Sequence, residues 1–137
     1  MSILQTQTTS FKAELYEGIH NLLTDVLYIA LYNGNADLNE TTTAYTSENE
    51  VTGTGYSPGG VVLNGATINT SGFTAYVDFS NVEFNADVTA RCALIYNSSK
   101  ANRSIAVLDF GSDKTSTNFT IAMPANTATT ALIRSSN

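Results

Sequence analysis

Phe73-Thr-Ala-Tyr-Val-Asp-Phe79 is the stretch that defines the fold class most clearly. Apolar and polar side chains alternate along it, so that one face carries Phe73, Ala75, Val77 and Phe79 and the other carries Thr74, Tyr76 and Asp78. A period of two residues predicts a β-strand with one face on the core and one face in water.

A strand of a different kind is predicted nearer the N-terminus, at Val26-Leu-Tyr-Ile-Ala-Leu-Tyr32. Because it is apolar at almost every position, we expect it to be buried on both faces of a sheet. Asn33-Gly34, a dipeptide typical of tight turns, follows it. The polar, Thr-rich segment 35–50 then predicts a long loop or a short edge strand, and long loops in compact domains are often functional.

Short apolar runs separated by turn residues continue along the rest of the chain. The further strand candidates are Val61–Leu63 running towards Ile68, Val82–Phe84, Val88–Tyr96, Ile105–Phe110, Phe119–Met123 and Thr129–Arg134. Turn residues lie between them, for example at Asn64-Gly65, Ser71-Gly72 and Gly111–Ser116. We therefore predict an all-β domain of about eight strands, arranged as a β-sandwich, a jelly-roll-like fold or a barrel.

The N-terminal region predicts an arm followed by one helix. Residues 1–10 are mostly polar and predict an arm that is flexible or becomes ordered on a partner, with Ile3 and Leu4 as its contact residues. Apolar residues then recur at helical spacing, which predicts a helix over about 10–23 with Ser10 as its N-cap. Residues 11–137 form a single β-rich domain in this prediction.

Composition and charge narrow the classes of partner. The chain is 42% hydrophobic but only 13% charged, and its net charge is −6. Its six Lys and Arg residues are scattered, so we expect no nucleic-acid binding, which needs clustered cations. No apolar run reaches the roughly 20 residues that span a bilayer, and the N-terminus has no signal-peptide pattern. We expect no membrane association and synthesis in the cytoplasm.

Residues that could perform chemistry are sparse. The chain has one cysteine, Cys92, and one histidine, His20, which excludes an intrachain disulfide and argues against a zinc site. No Gly-x-Ser-x-Gly nucleophile motif occurs. Strand periodicity predicts one shared, buried face for Val88, Ala90, Cys92, Leu94 and Tyr96, so we interpret the cysteine as a core residue. We predict a protein that is not an enzyme, with no catalytic residues, cofactor or metal.

Aromatic and apolar residues at the arm and loops are the candidates for partner contact. The chain has seven tyrosines and no tryptophan, and exposed aromatic residues recur at recognition sites. The predicted partner-contact residues are Ile3, Leu4, Phe11, Tyr45 and Tyr56. Stacking of a sugar on Tyr45 and Tyr56 is the alternative use of the two loop tyrosines.

Three sequence blocks carry a family resemblance. The first is Tyr28-Ile-Ala-Leu-Tyr32 with Thr41-Thr-Thr-Ala-Tyr-Thr46. The second is Asn49-Glu-Val-Thr-Gly-Thr-Gly-Tyr-Ser-Pro-Gly-Gly60. The third is Cys92-Ala-Leu-Ile-Tyr-Asn-Ser-Ser99 with Asn102-Arg-Ser-Ile-Ala-Val-Leu-Asp-Phe-Gly111. In this order, and over about Phe11 to Arg134, the chain resembles a family of small virion proteins encoded among the structural genes of tailed bacteriophages.

The resemblance implies a structural role and supplies no catalytic residues. A small, acidic, Thr-rich β domain with an N-terminal arm is most similar to capsid decoration (cement) proteins. This implies a place on the outer surface of the capsid, where the protein clamps neighbouring subunits of the major capsid protein and stabilises the head. A homo-oligomer is expected there, and a trimer fits a threefold site. The alternatives are a tail or head-fibre component and a carbohydrate-binding module for host recognition.

Overall fold

The chain folds as a mainly β structure with one α-helix near its N-terminus. The computed structural model describes residues 2–127 and 129–136. Within these ranges it has ten strands in three sheets. The prediction of an all-β fold with one N-terminal helix is therefore confirmed, with two more strands than the eight or so that the sequence indicated.

The helix, α1, spans Thr9–Tyr16. The strands are β1 (Thr6–Gln7), β2 (Leu27–Tyr32), β3 (Val61–Leu63), β4 (Thr67–Ser71), β5 (Thr74–Asp78), β6 (Val82–Phe84), β7 (Val88–Asn97), β8 (Arg103–Ser116), β9 (Phe119–Ile121) and β10 (Ile133–Ser135). A short 3-10 helix at Ser98–Lys100 joins β7 to β8.

The largest sheet has five antiparallel strands in the order β1-β8-β7-β2-β3. At its centre, β2 and β7 pair from Leu27 opposite Asn97 to Tyr32 opposite Cys92. The two smaller sheets, β10-β5-β4 and β6-β9, are also antiparallel.

The main core joins the five-stranded sheet to the two smaller sheets. From the large sheet, Leu27, Ile29 and Leu31 of β2 contribute to it. The smaller sheets contribute Val77, Val82, Phe84, Phe119, Ile121 and Ile133. Each buried side chain of this size stabilises the fold by about 1.5–3 kcal/mol, so the packing of these sheets on one another is a main source of stability.

A second buried cluster covers the opposite face of the five-stranded sheet. Ala30 and Tyr32 of β2 belong to this cluster, and Ala36 and Leu38 from the loop after β2 cover them. The part of this loop at 36–45 therefore forms a lid over this face, whereas Val51 and Tyr56, later in the loop, pack on the main core. Because both faces of β2 are covered, the predicted two-sided burial of this strand is confirmed.

An irregularity in the pairing of β7 with β8 corrects the predicted strand face around Cys92. Ala90 lies opposite Lys114, but Cys92 lies opposite Asp109, so the register shifts between them. Val88 and Ala90 therefore belong to the main core, whereas Cys92, Leu94 and Tyr96 belong to the second cluster. The prediction that these five residues share one face is wrong, because a bulge reverses the alternation of side chains.

The same bulge corrects the predicted turn at Gly111–Ser116. This segment is part of β8, and Lys114 and Ser116 pair with the start of β7. Gly111 has φ +83° at the point where the two strands lose register, a conformation that favours glycine. The final strand also differs from prediction, since it starts at Ile133 and not at Thr129.

The helix is shorter than predicted. It is capped by Thr8, whose side chain accepts a hydrogen bond from the N–H of Phe11, and not by Ser10. It ends at Tyr16, and Gly18 follows with φ +73°. The chain leaves the helix there, and His20 is then buried by packing against the rest of the fold.

The N-terminal arm lies on the chain's own domain, whereas we predicted an arm that is flexible or becomes ordered on a partner. The N–H of Leu4 donates to the carbonyl oxygen of Leu38 at 3.0 Å, and the N–H of Leu38 donates to that of Ser2 at 2.9 Å. Thr6 and Gln7 then pair with β8 as the edge strand β1. These hydrogen bonds fix the arm because they satisfy backbone groups of the loop and of β8.

Candidate functional site

A carboxylate at the end of the long loop gathers two tyrosines. Tyr45 donates its hydroxyl hydrogen to Glu50 Oε1 at 2.6 Å, and Tyr56 donates to Oε2 at 2.5 Å. The N–H of Gly59 also donates to Oε2, at 2.8 Å. We call Tyr45, Glu50 and Tyr56 the Glu50 cluster. Hydrogen bonds to a charged acceptor are the stronger class in proteins.

The tyrosines of the Glu50 cluster are also packed against the sheets. The ring of Tyr45 lies 4.8 Å from that of Tyr96, and the ring of Tyr56 lies 6.0 Å from that of Phe84, measured between centroids. The hydroxyl oxygen of Tyr56 accepts a hydrogen bond from the N–H of Leu31 in β2 at 3.0 Å. The Glu50 cluster thus fastens the loop to the strand beneath it.

The electrostatics of the cluster keep its phenols protonated. Burial, followed by the adjacent Glu50 carboxylate, raises the pKa of Tyr45 and of Tyr56 well above the usual value near 10. Burial and the same carboxylate raise the pKa of Tyr96 to about 12. At neutral pH these groups therefore act as hydrogen-bond donors and not as phenolate nucleophiles.

A second polar cluster surrounds the buried His20. Its Nε2 lies 2.8 Å from Glu14 Oε1, and its Nδ1 lies 2.9 Å from Asn97 Nδ2. Because an amide NH₂ only donates, Nδ1 is assigned as the acceptor and Nε2 as the protonated nitrogen. Both ring nitrogens of His20 are therefore used within the protein.

The His20 cluster extends to an ion pair at the end of β7. Asn97 Nδ2 also donates to Asp25 Oδ2 at 2.8 Å, and Lys100 Nζ lies 2.9 Å from both carboxylate oxygens of Asp25. Desolvation acts to raise the pKa of Asp25, but hydrogen bonds from Asn21, Asn97 and Lys100 outweigh it and lower the pKa to about 2. The cluster ties the segment after α1 to the β7–β8 connection.

Cys92 lies in the second core cluster and is fully buried. Burial, followed by the Asp109 carboxylate, raises the pKa of its thiol to about 12. A thiol of this kind is a poor nucleophile at neutral pH. Within residues 2–127 and 129–136, no group of three or more His, Cys, Asp or Glu side chains is placed to hold a metal ion.

The candidate contact surface is an apolar groove between α1 and the sheet β10-β5-β4. Leu15 and Leu22 line one side, and Ile68, Tyr76 and Ile133 line the other, around a volume of about 360 Å³. We call this the α1 groove. Leu15 is 40% exposed and Ile68 is 51% exposed. Apolar side chains that are exposed side by side, and not singly, indicate a surface for another molecule.

The predicted contact residues differ in how far the structure buries them. The prediction of Phe11 as a contact residue is wrong, because Phe11 is fully buried and its ring lies 5.0 Å from that of His20. Ile3 is half-buried beside Leu38, whereas Leu4 is exposed.

The structure brings Tyr45 and Tyr56 together on Glu50. Their rings are packed against Tyr96 and Phe84, and their hydroxyls are bonded. Both side chains are half-buried, so each ring offers only part of its surface for stacking a sugar.

Sequence reasoning missed the α1 groove. The helical spacing of Leu15 with Phe11 and Ile19 predicts a buried face of the helix, and Ile68 is predicted only as the end of a strand. The sequence contained one signal of it. Ile68 is the single apolar residue of Thr67–Ser71, and an edge strand with both faces in water needs no apolar residue. The exposed neighbour Tyr16 was a second signal, since it puts an apolar side chain outside the predicted helical face.

Comparison with known proteins adds no relative to this description: no family model, no curated protein and no solved structure matches the chain. No helix in the described part of the chain is long and apolar enough to cross a membrane.

Proposed function

We propose that this chain is a non-enzymatic structural protein of a tailed-bacteriophage virion, and that it decorates the capsid by binding the major capsid protein. The observation that carries the proposal is the α1 groove, in which Leu15 and Ile68 remain exposed beside Leu22 and Ile133. Covering such side chains with a partner removes apolar area from water and favours association.

The distribution of polar groups supports a binding role. In the Glu50 and His20 clusters, the tyrosine hydroxyls and the imidazole nitrogens are engaged in hydrogen bonds that hold segments of the chain together. The sequence blocks that resemble phage virion proteins agree with a rigid binding domain of this kind. Many copies on one particle would add weak contacts through avidity.

The partner in this proposal is the outer surface of the major capsid protein, and the chain occupies it as a homo-oligomer. A trimer at a threefold position is the arrangement expected from closed symmetry. A tail or head-fibre location would use the same groove on a different partner. We favour the capsid role over the carbohydrate-binding alternative, because the rings of Tyr45 and Tyr56 are half-buried and pack against Tyr96 and Phe84.

Co-sedimentation with capsids that lack this protein tests the proposal. The unmodified protein is expected to bind saturably at a fixed ratio to the major capsid protein, and Leu15→Ser is expected to weaken that binding at least tenfold. Val62→Ser is the matched control, because Val62 is 41% exposed but lies on β3 in the five-stranded sheet, outside the groove. Absence of binding by the unmodified protein would refute the capsid role. Equal binding by both variants would show that the groove does not contact the capsid.

The arm is tested in the same assay. Leu4→Ser alters the one predicted arm residue that the structure leaves 49% exposed. Because the arm is hydrogen-bonded to its own domain, we expect this variant to bind capsids like the unmodified protein. A loss of binding equal to that of Leu15→Ser would show that the arm contacts the capsid after all.

A further inference from the structure

The strand β4 forms an open edge of the sheet β10-β5-β4. Its five residues, Thr67-Ile-Asn-Thr-Ser71, include no charged residue and no proline, and all are exposed except the half-buried Asn69. Strand edges in soluble proteins are commonly protected by charges, prolines or bulges, since their free N–H and C=O groups can pair with another chain. None of the residues of β4 supplies that protection.

The segment of sequence that contains β4 also has no charged residue, and the nearest charge on the neighbouring strand is Asp78, opposite Thr67. The sequence has no Asp, Glu, Lys, Arg or His between Glu50 and Asp78, although the whole chain carries a net charge of −6. Two copies of an acidic protein repel each other over most of their surfaces. The segment that contains β4 is where two copies can approach without like charges facing each other.

The hairpin geometry shows which backbone groups of β4 are free. Ser71 pairs with Thr74 across a two-residue turn that starts at Gly72, with φ +58°. The pair that closes such a hairpin is hydrogen-bonded, and hydrogen-bonded pairs alternate along an antiparallel ladder. The N–H and C=O groups of Ile68 and Thr70 therefore point away from β5, towards the open edge.

We propose that β4 pairs antiparallel with β4 of a second copy, about a twofold axis at Asn69. In this register Ile68 of one copy exchanges a pair of hydrogen bonds with Thr70 of the other, on both sides of the axis. The two three-stranded sheets become one continuous sheet, and the contact is isologous and closed.

This interface differs from the trimer expected for a threefold site. Self-pairing of one strand edge gives twofold symmetry, because each edge is satisfied by an identical edge. The opposite edge of the same sheet is β10, where Gln7 Nε2 donates to the carbonyl oxygen of Arg134 at 2.9 Å. A head-to-tail ring through β10 would have to break that contact. The inference does not depend on the capsid role.

A charge swap at Asn69 tests the interface. The two Asn69 side chains lie directly opposite in a non-hydrogen-bonded pair, where Cα atoms are about 4.5 Å apart. The unmodified protein is expected to show a concentration-dependent shift from monomer to dimer in sedimentation velocity. Asn69→Lys alone and Asn69→Asp alone are each expected to sediment as monomers, because like charges then meet on the axis. An equimolar mixture is expected to recover the dimer.

Two controls separate this result from misfolding and from capsid binding. Asn85→Lys adds the same charge at an exposed position outside β4 and is expected to dimerise like the unmodified protein. Recovery of the dimer in the mixture shows that both Asn69 variants are folded. A monomer at all concentrations, or an oligomer that neither Asn69 variant changes, would overturn the proposal. Capsid co-sedimentation by monomeric Asn69→Lys reports on the capsid role separately.

Discussion

Replacement of Glu50 by alanine tests whether the Glu50 cluster holds the long loop on the sheet. The carboxylate accepts hydrogen bonds from Tyr45, Tyr56 and the N–H of Gly59, at 2.5–2.8 Å. These three donors come from different parts of the loop. Glu50→Ala therefore removes the shared acceptor of all three while leaving their rings and backbone in place.

The expected loss of stability follows from the class of hydrogen bond. A hydrogen bond to a charged group contributes about 1.5–3 kcal/mol, but contributions within one network are not additive. Glu50 is half-buried, so water can replace part of what is lost. We expect Glu50→Ala to lower the free energy of unfolding by about 3 kcal/mol. Glu50→Gln keeps one acceptor oxygen and is expected to cost about 1 kcal/mol.

Urea unfolding followed by tyrosine fluorescence measures this loss, since the chain has no tryptophan to mask the tyrosine signal. Glu48→Ala is the matched control, because Glu48 is exposed and its carboxylate makes no hydrogen bond within the described ranges. We expect that control to stay within about 0.5 kcal/mol of the unmodified protein.

A free energy of unfolding for Glu50→Ala equal to that of Glu48→Ala would refute this account of the loop. A double-mutant cycle with Tyr56→Phe adds a stricter criterion. The coupling between the two sites is expected to exceed about 1 kcal/mol, since both substitutions remove the same hydrogen bond. Additive losses would show that the carboxylate and the phenol act independently.

Three further predictions concern other parts of the fold. Asp25 has a pKa lowered to about 2, so its ionised form stabilises the protein above about pH 4, and this contribution is lost as the pH falls towards 2. Urea unfolding from pH 5 to pH 2 should show a loss of about 2 kcal/mol that Asp25→Asn abolishes. Gly60→Ala should prevent folding or cost more than about 3 kcal/mol, because Gly60 has φ +83° and a Cβ there would overlap the carbonyl of Ile29. The control is Gly72→Ala, which should cost about 1 kcal/mol in the same urea assay, because Gly72 has φ +58° and open space around it. The buried Cys92 thiol, with its pKa raised to about 12, should react with a thiol reagent at pH 8 only after the protein unfolds, and rapid reaction of the native protein would contradict its burial.

Side-chain periodicity predicted the elements whose burial is regular. β2 was predicted as a strand buried on both faces, and the structure confirms this because the lid covers its second face. The alternation of Phe73–Phe79 predicted β5, and Val77 and Phe79 are buried as expected. The predicted core face is wrong for Phe73, which lies in the turn before β5 and is 90% exposed, and for Ala75, which is also exposed. Local pattern is sufficient for β2 because both of its faces are covered along the whole strand.

Elements that depend on partners distant in the sequence were not predictable in the same way. The bulge between Ala90 and Cys92 depends on how β8 pairs with β7, and it reverses every side chain beyond it. The arm looked unsupported because the groups that bind it, Leu38 and β8, lie far along the chain. Periodicity in one segment contains no information about such pairings.

The Glu50 cluster illustrates the same limit within the candidate site. Tyr45 and Tyr56 were selected as loop aromatics, which is where both residues lie. Their link through Glu50 was not foreseen, because it needs the loop to fold back so that both hydroxyls reach one carboxylate. The sequence predicted both tyrosines as partner contacts and gave no sign that their hydroxyls bind one carboxylate of the same chain.

The amount and location of this protein in purified particles test the central claim most directly. Heads and tails would be separated, and the ratio of this chain to the major capsid protein would be measured in each fraction by quantitative mass spectrometry. A decoration protein is expected in the head fraction at a fixed ratio comparable to that of the major capsid protein. A few copies per particle, found with the tails, would contradict the capsid role.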